Sequence, residues 1–339
     1  MPDIYSTKTM LSSINQMLPV YTFFRDTFFP NTVTSPTEEV EVDYKKGKRK
    51  MAPFVAPRRG GVVVTRDGFT TKNYKVPKIA PVRIMTPDDL SKRGMGENPY
   101  NAKDPEDRAK ELLATDMIEL DDMITRREEW MCREVMLNGK VLMEGDGFEQ
   151  QVDYKFTNRI TLTGDAKWTN EESDPLADLK EERKRIIKKC GKAPNILVFS
   201  SDAIDIFVNH PKVKDKLDNR RMNYGNIEPT IKNDAITFYG KLPELGVEIY
   251  SYDEWFLDDE DNEVPMMPEK TVIFASKGQH KRLYGAVRQI ENKEFVVIEG
   301  ERVPKSWVDD ENEVRKVRIT SKPLPCPDDV DSWSVIKIG

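Results

Sequence analysis

The residues that could do chemistry in this chain are two histidines, three cysteines and two dense runs of charge. His210 precedes Pro211 and is most simply a residue at the end of a helix, while His280 lies in the polar turn from Lys277 to Lys281. Neither histidine is paired with a cysteine at the spacing that a zinc site requires. We therefore expect neither a metal centre nor a bound cofactor.

Motifs for phosphate binding and for nucleophilic catalysis are also missing from the sequence. Gly60-Gly61 follows Arg58-Arg59 and does not lead into a lysine and a helix, as a phosphate-binding loop would. No nucleophile elbow marks a serine, although a Ser/His/Asp triad assembled from distant residues stays open. The sequence predicts no active site, and we expect the chain not to be an enzyme.

The two runs of charge have opposite signs. The run from Asp258 to Glu263 has the carboxylates of a calcium loop but lacks the glycine at its turn, which favours a solvated hairpin tip. Two explanations stay open for the basic run: a solvated strand edge that resists aggregation, or an ion-paired contact with an acidic surface on a neighbouring subunit. Its residues are Lys45, Lys46, Lys48, Arg49, Lys50, Arg58 and Arg59.

Composition narrows the class of protein further. The 339 residues suffice for about two domains, and 38% are hydrophobic, enough to build a core. The net charge of −6 disfavours a protein whose main task is to grip nucleic acid. The cysteines, Cys132, Cys190 and Cys326, are odd in number and far apart, which favours a reducing compartment. No signal peptide is apparent and no apolar run approaches the ~20 residues of a membrane helix, so we expect a cytosolic product.

One long amphipathic helix is predicted from Asp104 to Gly139. Asp104 is an N-cap, Pro105 suits the first helical position, and Gly139 is a typical residue for ending a helix. Apolar residues recur at helical spacing along one stripe: Leu113, Met117, Leu120, Ile124, Met131 and Val135. A rod of roughly 50 Å is too long to be buried in one small domain. It is predicted to act as a strut, with its stripe under the strands that follow it.

The chain before this helix has two unusual segments. Tyr21, Phe23, Phe24, Phe28 and Phe29 form an aromatic cluster that either packs under the chain's own core or belongs to an arm laid over a neighbouring subunit. From Glu38 to about Thr86 the pattern is that of strands interrupted by prolines. A long two-stranded ribbon of this kind is not stable alone in water, so it must lie on another surface.

After the long helix, helices and strands are mixed. Short strands are expected around the turn at residues 145–147, and a helix is expected from Asp174 to Gly191, then a buried strand Ile196 to Phe199 and a short helix Asp202 to Asn209. Further short strands are predicted at 236–239, 247–252, 255–257, 272–275, 283–288, 295–298 and 314–320. This order of elements predicts a mixed α+β fold with an extended limb.

Two segments are the most distinctive in the chain, Val213 to Arg221 and Val303 to Val308. With others in their shared order, they resemble the lambda-type major capsid proteins of tailed bacteriophages, which have the HK97-like fold. Phe24-Arg25 with Phe28-Phe29 is similar to the arm of that family, and the hairpin Tyr250 to Pro265 matches in layout. The similarity extends over essentially the whole chain.

The resemblance implies names for the parts. Residues 1–37 would be the N-terminal arm, 38–87 the extended E-loop, and 88–174 a peripheral domain whose spine helix is 104–139. Residues 175–305 would form the axial domain, and 306–339 a C-terminal segment that returns to these domains. The implied contacts between subunits involve Phe24, Arg25, Phe28, Phe29, the basic ribbon residues above, and Lys214, Asp215, Lys216, Asp218, Arg220 and Arg221.

The resemblance also implies a function and partners. The chain would be a major capsid protein that assembles in the bacterial cytoplasm, as pentamers and hexamers, into an icosahedral head around double-stranded DNA. Portal, scaffold or protease, and a decoration protein would be its partners, without a membrane and without crosslinks between subunits. Two alternatives stay open: an encapsulin-type compartment shell of the same fold, and, from a different class, an unrecognised hydrolase.

Overall fold

The computed structural model describes residues 10, 22–37, 39–44, 70–91, 104–145, 148–217, 226–233, 235–258, 261–291 and 293–339. The described helices are α1 Phe24–Phe28, α2 Pro87–Ser91, α3 Pro105–Asn138, α4 Pro175–Cys190, α5 Ser201–Asn209 and α6 Pro211–Leu217, with a 3-10 turn at Gly164–Ala166. In this described part of the chain, no helix is long and apolar enough to cross a membrane.

The strands fall into one large sheet and several small ones. The first part of the chain contributes β1 Asn31–Thr34, β2 Glu39–Tyr44, β3 Thr70–Lys75, β4 Val82–Met85, β5 Lys140–Gly145, β6 Phe148–Asp153, β7 Arg159–Thr161 and β8 Ile196–Phe199. The middle contributes β9 Asn226–Asn233, β10 Ile236–Leu242, β11 Val247–Tyr252, β12 Trp255–Leu257, β13 Glu263–Pro265, β14 Thr271–Ala275 and β15 Lys281–Tyr284. The last part contributes β16 Val287–Glu291, β17 Glu294–Ile298, β18 Val303–Asp309, β19 Val314–Thr320, β20 Pro323–Cys326 and β21 Ser334–Lys337.

The long helix α3 has the predicted bounds and caps. The Asp104 side chain accepts a hydrogen bond from the Glu106 amide, and Pro105 opens the first turn. Gly139 ends the helix at φ +61°, and its amide donates to the Val135 carbonyl. Phe156 packs so closely on Gly139 that a Cβ there would lie 2.0 Å from the Phe156 Cβ. Both backbone conformation and close packing therefore require glycine at this end.

The large sheet has the order β7-β21-β14-β8-β11-β10-β9. Its central strand β8 is buried throughout, and it pairs in parallel with β11 and antiparallel with β14. Ile196 and Val198 belong to one hydrophobic core, and Leu197 and Phe199 belong to a second core with α4 and α5. The uninterrupted apolar run that predicted this strand thus reflects burial on both faces.

The N-terminal half of the long helix has a core of its own. Leu113, Met117, Leu120 and Ile124 pack on Met85, Val317 and Ile319 of the small sheet β18-β19-β4. The C-terminal half, around Met131 and Val135, belongs to the core that also holds Val141 of β5. The predicted stripe is buried, but the strands that cover it come from β4, β19 and β20 as well as from β5, which directly follows.

The other predicted elements that lie within the described residues agree with the structure except in one region. The predicted bounds of β8, β11, β12 and β19 match, and α4 is present as expected. The single strand predicted at 283–288 is wrong: the chain leaves β15 at Tyr284 and starts β16 at Val287, where it pairs with β17 instead of β20. Strands β1, β9, β18, β20 and β21 were not predicted. β18 and β20 contain prolines, and both are edge strands, where proline is tolerated.

Candidate functional site

The segment before β1 is fixed to the long helix through one buried carboxylate. Glu129 Oε1 accepts hydrogen bonds from the amides of Phe23 (3.1 Å) and Phe24 (2.8 Å), and its Oε2 accepts from the Arg25 amide (2.8 Å). The Tyr252 hydroxyl donates to the same Oε1 at 3.1 Å. These three amides open α1, so Glu129 satisfies the donors that the helix start leaves unpaired.

The adjacent carboxylate, Glu128, collects two cations. Arg25 Nε lies 3.2 Å from its Oε2, and Arg302 Nη1 and Nη2 donate to its two oxygens at 2.6 and 3.2 Å. The Tyr284 hydroxyl donates to Glu128 at 3.1 Å. Arg302 also pairs with Asp121, which lies about two turns before Glu128 on the helix. The long helix α3 therefore holds α1, the end of β15 and the start of β18 through three carboxylates, those of Asp121, Glu128 and Glu129.

The electrostatics of this network follow from its burial. Burial raises the pKa of Glu129, and the three amides and Tyr252 oppose that shift. Burial alone would lower the pKa of Arg302, but Glu128 and Asp121 outweigh it and raise the pKa. Burial also raises the pKa of Tyr284. Arg302 and Tyr284 are thus held in their ordinary protonation states at neutral pH.

The aromatic side chains of this segment lie in the chain's own core. Phe24, Phe28 and Phe29 have no exposed surface, and Phe23 is buried. The Phe23 ring lies 5.2 Å from that of Tyr252, and the Phe24 ring lies 5.9 Å from that of Phe28. Of the two alternatives raised by the sequence, packing under the chain's own core describes these side chains. The contact of Phe24, Arg25, Phe28 and Phe29 with a neighbouring subunit stays a prediction. Within the chain, the three phenylalanine side chains have no exposed surface and Arg25 pairs with Glu128.

Of the proposed E-loop, the structure describes the base, which is formed by β2 and β3. β2 and β3 pair antiparallel over six residue pairs, from Glu39 opposite Lys75 to Tyr44 opposite Thr70. Among the described residues, this pair joins no other sheet. The basic residues expected to contact a neighbour, Lys45, Lys46, Lys48, Arg49, Lys50, Arg58 and Arg59, lie outside the described residues.

The segment most similar to the lambda-type proteins begins as a helix. Lys214, Asp215 and Lys216 lie on α6, and Lys214 is exposed. Val213 on the same helix is buried in the second core, which fixes α6 against α4 and α5. Asp218, Arg220 and Arg221, also expected at subunit contacts, lie outside the described residues.

The two histidines and the acidic run, which the sequence offered as candidates for chemistry, have surroundings that give them structural roles. His210 ends α5, and its Nε2 lies 3.1 Å from Ser173 Oγ. His280 follows the turn expected for it, but it is buried between the rings of Phe29 and Trp333, each 5.1 Å away, and burial lowers its pKa to about 3. Over the described ranges, no group of three or more histidine, cysteine or acidic side chains is placed to hold a metal ion. The strands β12 and β13 on either side of the acidic run pair antiparallel, as a hairpin requires, and Asp259 and Glu260 at its tip lie outside the described residues.

Comparison with known proteins decides the family. The profile of the phage major capsid protein E family matches residues 6–337. The chain belongs to this family. The major capsid protein of Escherichia phage lambda is 24% identical over 99% of this chain and 100% of its own length, and that of Escherichia phage N15 is 25% identical over 99% and 100%. The resemblance drawn from the sequence is therefore confirmed.

The fold is confirmed by solved structures. A candidate capsid protein of a prophage of E. coli CFT073 matches with a TM-score of 0.71 at 19% identity, over 98% of this chain and 99% of its own. A phage-related protein of Bordetella bronchiseptica matches with a TM-score of 0.56 at 13% identity, over 97% and 96%. The chain thus has the mixed α+β, HK97-like fold of a tailed-phage major capsid protein, and its family is one of structural proteins, not enzymes.

The polar network of this capsid protein was not predicted, although the sequence contains one signal of it. Glu128 lies four residues after Ile124 and three before Met131, so it stands on the apolar stripe of the long helix. A charged residue on such a stripe is buried only when it is paired. Its partners Arg25 and Arg302 lie 103 and 174 positions away in the chain, and nothing local identifies them.

Proposed function

We propose that copies of this chain assemble as pentamers and hexamers into the icosahedral head of a tailed phage that encloses double-stranded DNA. The observation that carries this proposal is the β2–β3 ribbon. This ribbon is a two-stranded element that joins no other sheet among the described residues. Because an isolated two-stranded ribbon is at best marginally stable in water, it gains stability by lying on a neighbouring subunit.

The division into domains supports the same assembly. We assign residues 1–37 to an arm, 38–87 to the E-loop, 88–174 to a peripheral domain, 175–305 to an axial domain and 306–339 to a returning C-terminal segment. The axial domain would meet its copies around the shell's axes, and Lys214 on α6 is exposed and available for such a contact. The net charge of −6 suits a wall past which packaged DNA must move, since like charges repel.

The partners follow from this role. A portal, a scaffold or protease, and a decoration protein would complete the head, and assembly would take place in the host cytoplasm. Contacts between subunits would be noncovalent. On denaturing gels of mature particles, this chain should run as a single 39.1 kDa band, and ladders of its multiples at higher mass would overturn this part of the proposal.

Electron microscopy of two proteins tests the function. The intact chain should form closed shells, and a variant that lacks residues 45–71 should keep its helical content and urea midpoint but form none. A matched variant in which these residues are replaced by a Gly/Ser linker of equal length controls for chain length. Normal shells from the deletion variant would refute the ribbon's role, and a small monodisperse oligomer from the intact chain would refute the function. Shells that hold cargo protein in place of DNA would favour the compartment alternative.

A further inference from the structure

Two small hairpins expose apolar faces that nothing in the described chain covers. On β16–β17, Ile290 stands opposite Phe295, and Arg288 stands opposite Val297, so that these four residues share one face. Phe295 is 88% exposed, Val297 55% and Ile290 48%. Large apolar side chains gain stability when they are removed from water, so an apolar face of this kind is unusual on a free surface.

The second face belongs to β12–β13. Trp255 stands opposite Pro265, and Leu257 stands opposite Glu263. Trp255 is 56% exposed and Leu257 62%, while Phe256 between them points inward under the guanidinium of Arg133. The inner face anchors this hairpin to the core, and the outer face is left for a partner.

The two faces match in pattern. Each consists of two cross-strand pairs, about 7 Å apart along the strand and about 5 Å across it. Each has three apolar side chains and one charged one at an end. The charges are opposite, since the first face carries Arg288 and the second carries Glu263. An antiparallel arrangement of the hairpins lets the apolar side chains meet and the two charges pair.

We propose that the β16–β17 face of one copy packs on the β12–β13 face of a second copy, with Arg288 beside Glu263. This inference rests on the proposed function, because only an assembly brings many copies into contact. Both faces are exposed within a single chain, so they do not cover each other there. Apolar complementarity supplies the contact and the opposite charges fix its register.

The size of the contact decides how it must be tested. Four side chains on each partner cover less than the roughly 800 Å² per partner of a standard stable interface. The contact therefore acts together with others in a shell and does not hold a dimer by itself. The test is made in assembled particles.

Cysteine crosslinking in mixed particles tests the pairing directly. Trp255→Cys and Phe295→Cys chains, both with Cys190→Ser, are coexpressed, and purified particles are oxidised and run on non-reducing gels. We expect a dimer band from the mixture and none from either variant alone. Particles that mix Val33→Cys with Trp255→Cys are the control, since Val33 is also exposed but lies on β1.

The outcomes separate this contact from the function. Particles without a mixed dimer, or with a dimer from Phe295→Cys alone, would overturn the pairing and leave the shell function intact. Failure of the intact chain to form particles would overturn the function itself. A charge exchange gives a second measure: Arg288→Glu and Glu263→Arg should each lower particle yield by about tenfold, and the double variant should restore it. No restoration would count against the pairing of charges.

Discussion

The Glu129 carboxylate offers the sharpest test of how the arm is held. Glu129→Gln keeps the shape of the side chain but replaces one acceptor oxygen with an NH₂ group. In the structure, one oxygen receives Phe23, Phe24 and Tyr252, and the other receives the Arg25 amide at 2.8 Å. In the glutamine variant at least one of these donors faces another donor.

The expected cost follows from that count. A buried donor left without an acceptor costs about 1–3 kcal/mol, so Glu129→Gln should lower the free energy of unfolding by about that amount. Glu129→Ala removes the acceptor for all four donors and should cost more. The matched control is Glu119→Gln on the same helix, where the half-exposed pair with Arg83 predicts a loss below about 1 kcal/mol.

Two measurements make the prediction specific. Urea unfolding, followed by tryptophan fluorescence, should give the lowest free energy of unfolding for Glu129→Ala, a higher one for Glu129→Gln and the highest of the three for Glu119→Gln. Hydrogen exchange of the segment 22–28 should show lost protection at the amides of Phe23, Phe24 and Arg25 in the Gln variant, with α3 still protected. Unchanged protection in that segment, together with a urea midpoint equal to that of Glu119→Gln, would show that Glu129 does not hold the arm.

Three further predictions concern stability. Leu120→Pro, at a buried position inside α3, should cost about 3 kcal/mol or more and lower the helical circular dichroism, whereas an unchanged urea midpoint would contradict a continuous helix. Gly139→Ala should cost at least about 1–3 kcal/mol, because the residue has φ +61° and its Cβ would meet Phe156; the urea midpoint checks this against Gly164→Ala, where φ is +59° but the space is open. Burial would raise the pKa of Glu248, but hydrogen bonds from Lys277, Lys241 and Tyr250 hold it at about 2. Its stabilisation is present above the usual glutamate range and is lost as the pH falls through about 2. Lys277→Met should therefore cost about 1 kcal/mol at pH 7, and progressively less as the pH falls from the usual glutamate range toward 2.

Elements with local signals could be predicted from the sequence. The long helix has an N-cap, a proline in its first turn and a glycine in the left-handed conformation at its end, and all three act within a few residues. The buried run Ile196–Phe199 and the alternation in Val314–Thr320 are likewise local patterns. These elements have the bounds that the sequence predicted.

Features that depend on distant partners could not be predicted. His280 stands in a polar stretch of sequence, yet Phe29 and Trp333, from opposite ends of the chain, bury it. The predicted strand is interrupted between Tyr284 and Val287, because β15 pairs with β1 and β20 while β16 pairs with β17. The hydrophobic periodicity of these segments indicates neither the burial of His280 nor the change of pairing partner between β15 and β16. The arm's place in the core, fixed by Glu129, is of the same kind.

Two hydrophobic cores, with the polar network of Asp121, Glu128 and Glu129 between them, explain the length of the long helix. Residues around Leu120 pack on the β18-β19-β4 sheet, and residues around Val135 pack in the core beside β5. Asp121, Glu128 and Glu129 hold Arg302 and the start of α1 on the same rod. A shorter helix could bury either group of strands but not both. The ribbon β2–β3 follows the segment whose amides, Phe23 to Arg25, Glu129 accepts, so the helix that bears both cores also fixes the chain that leads into the ribbon.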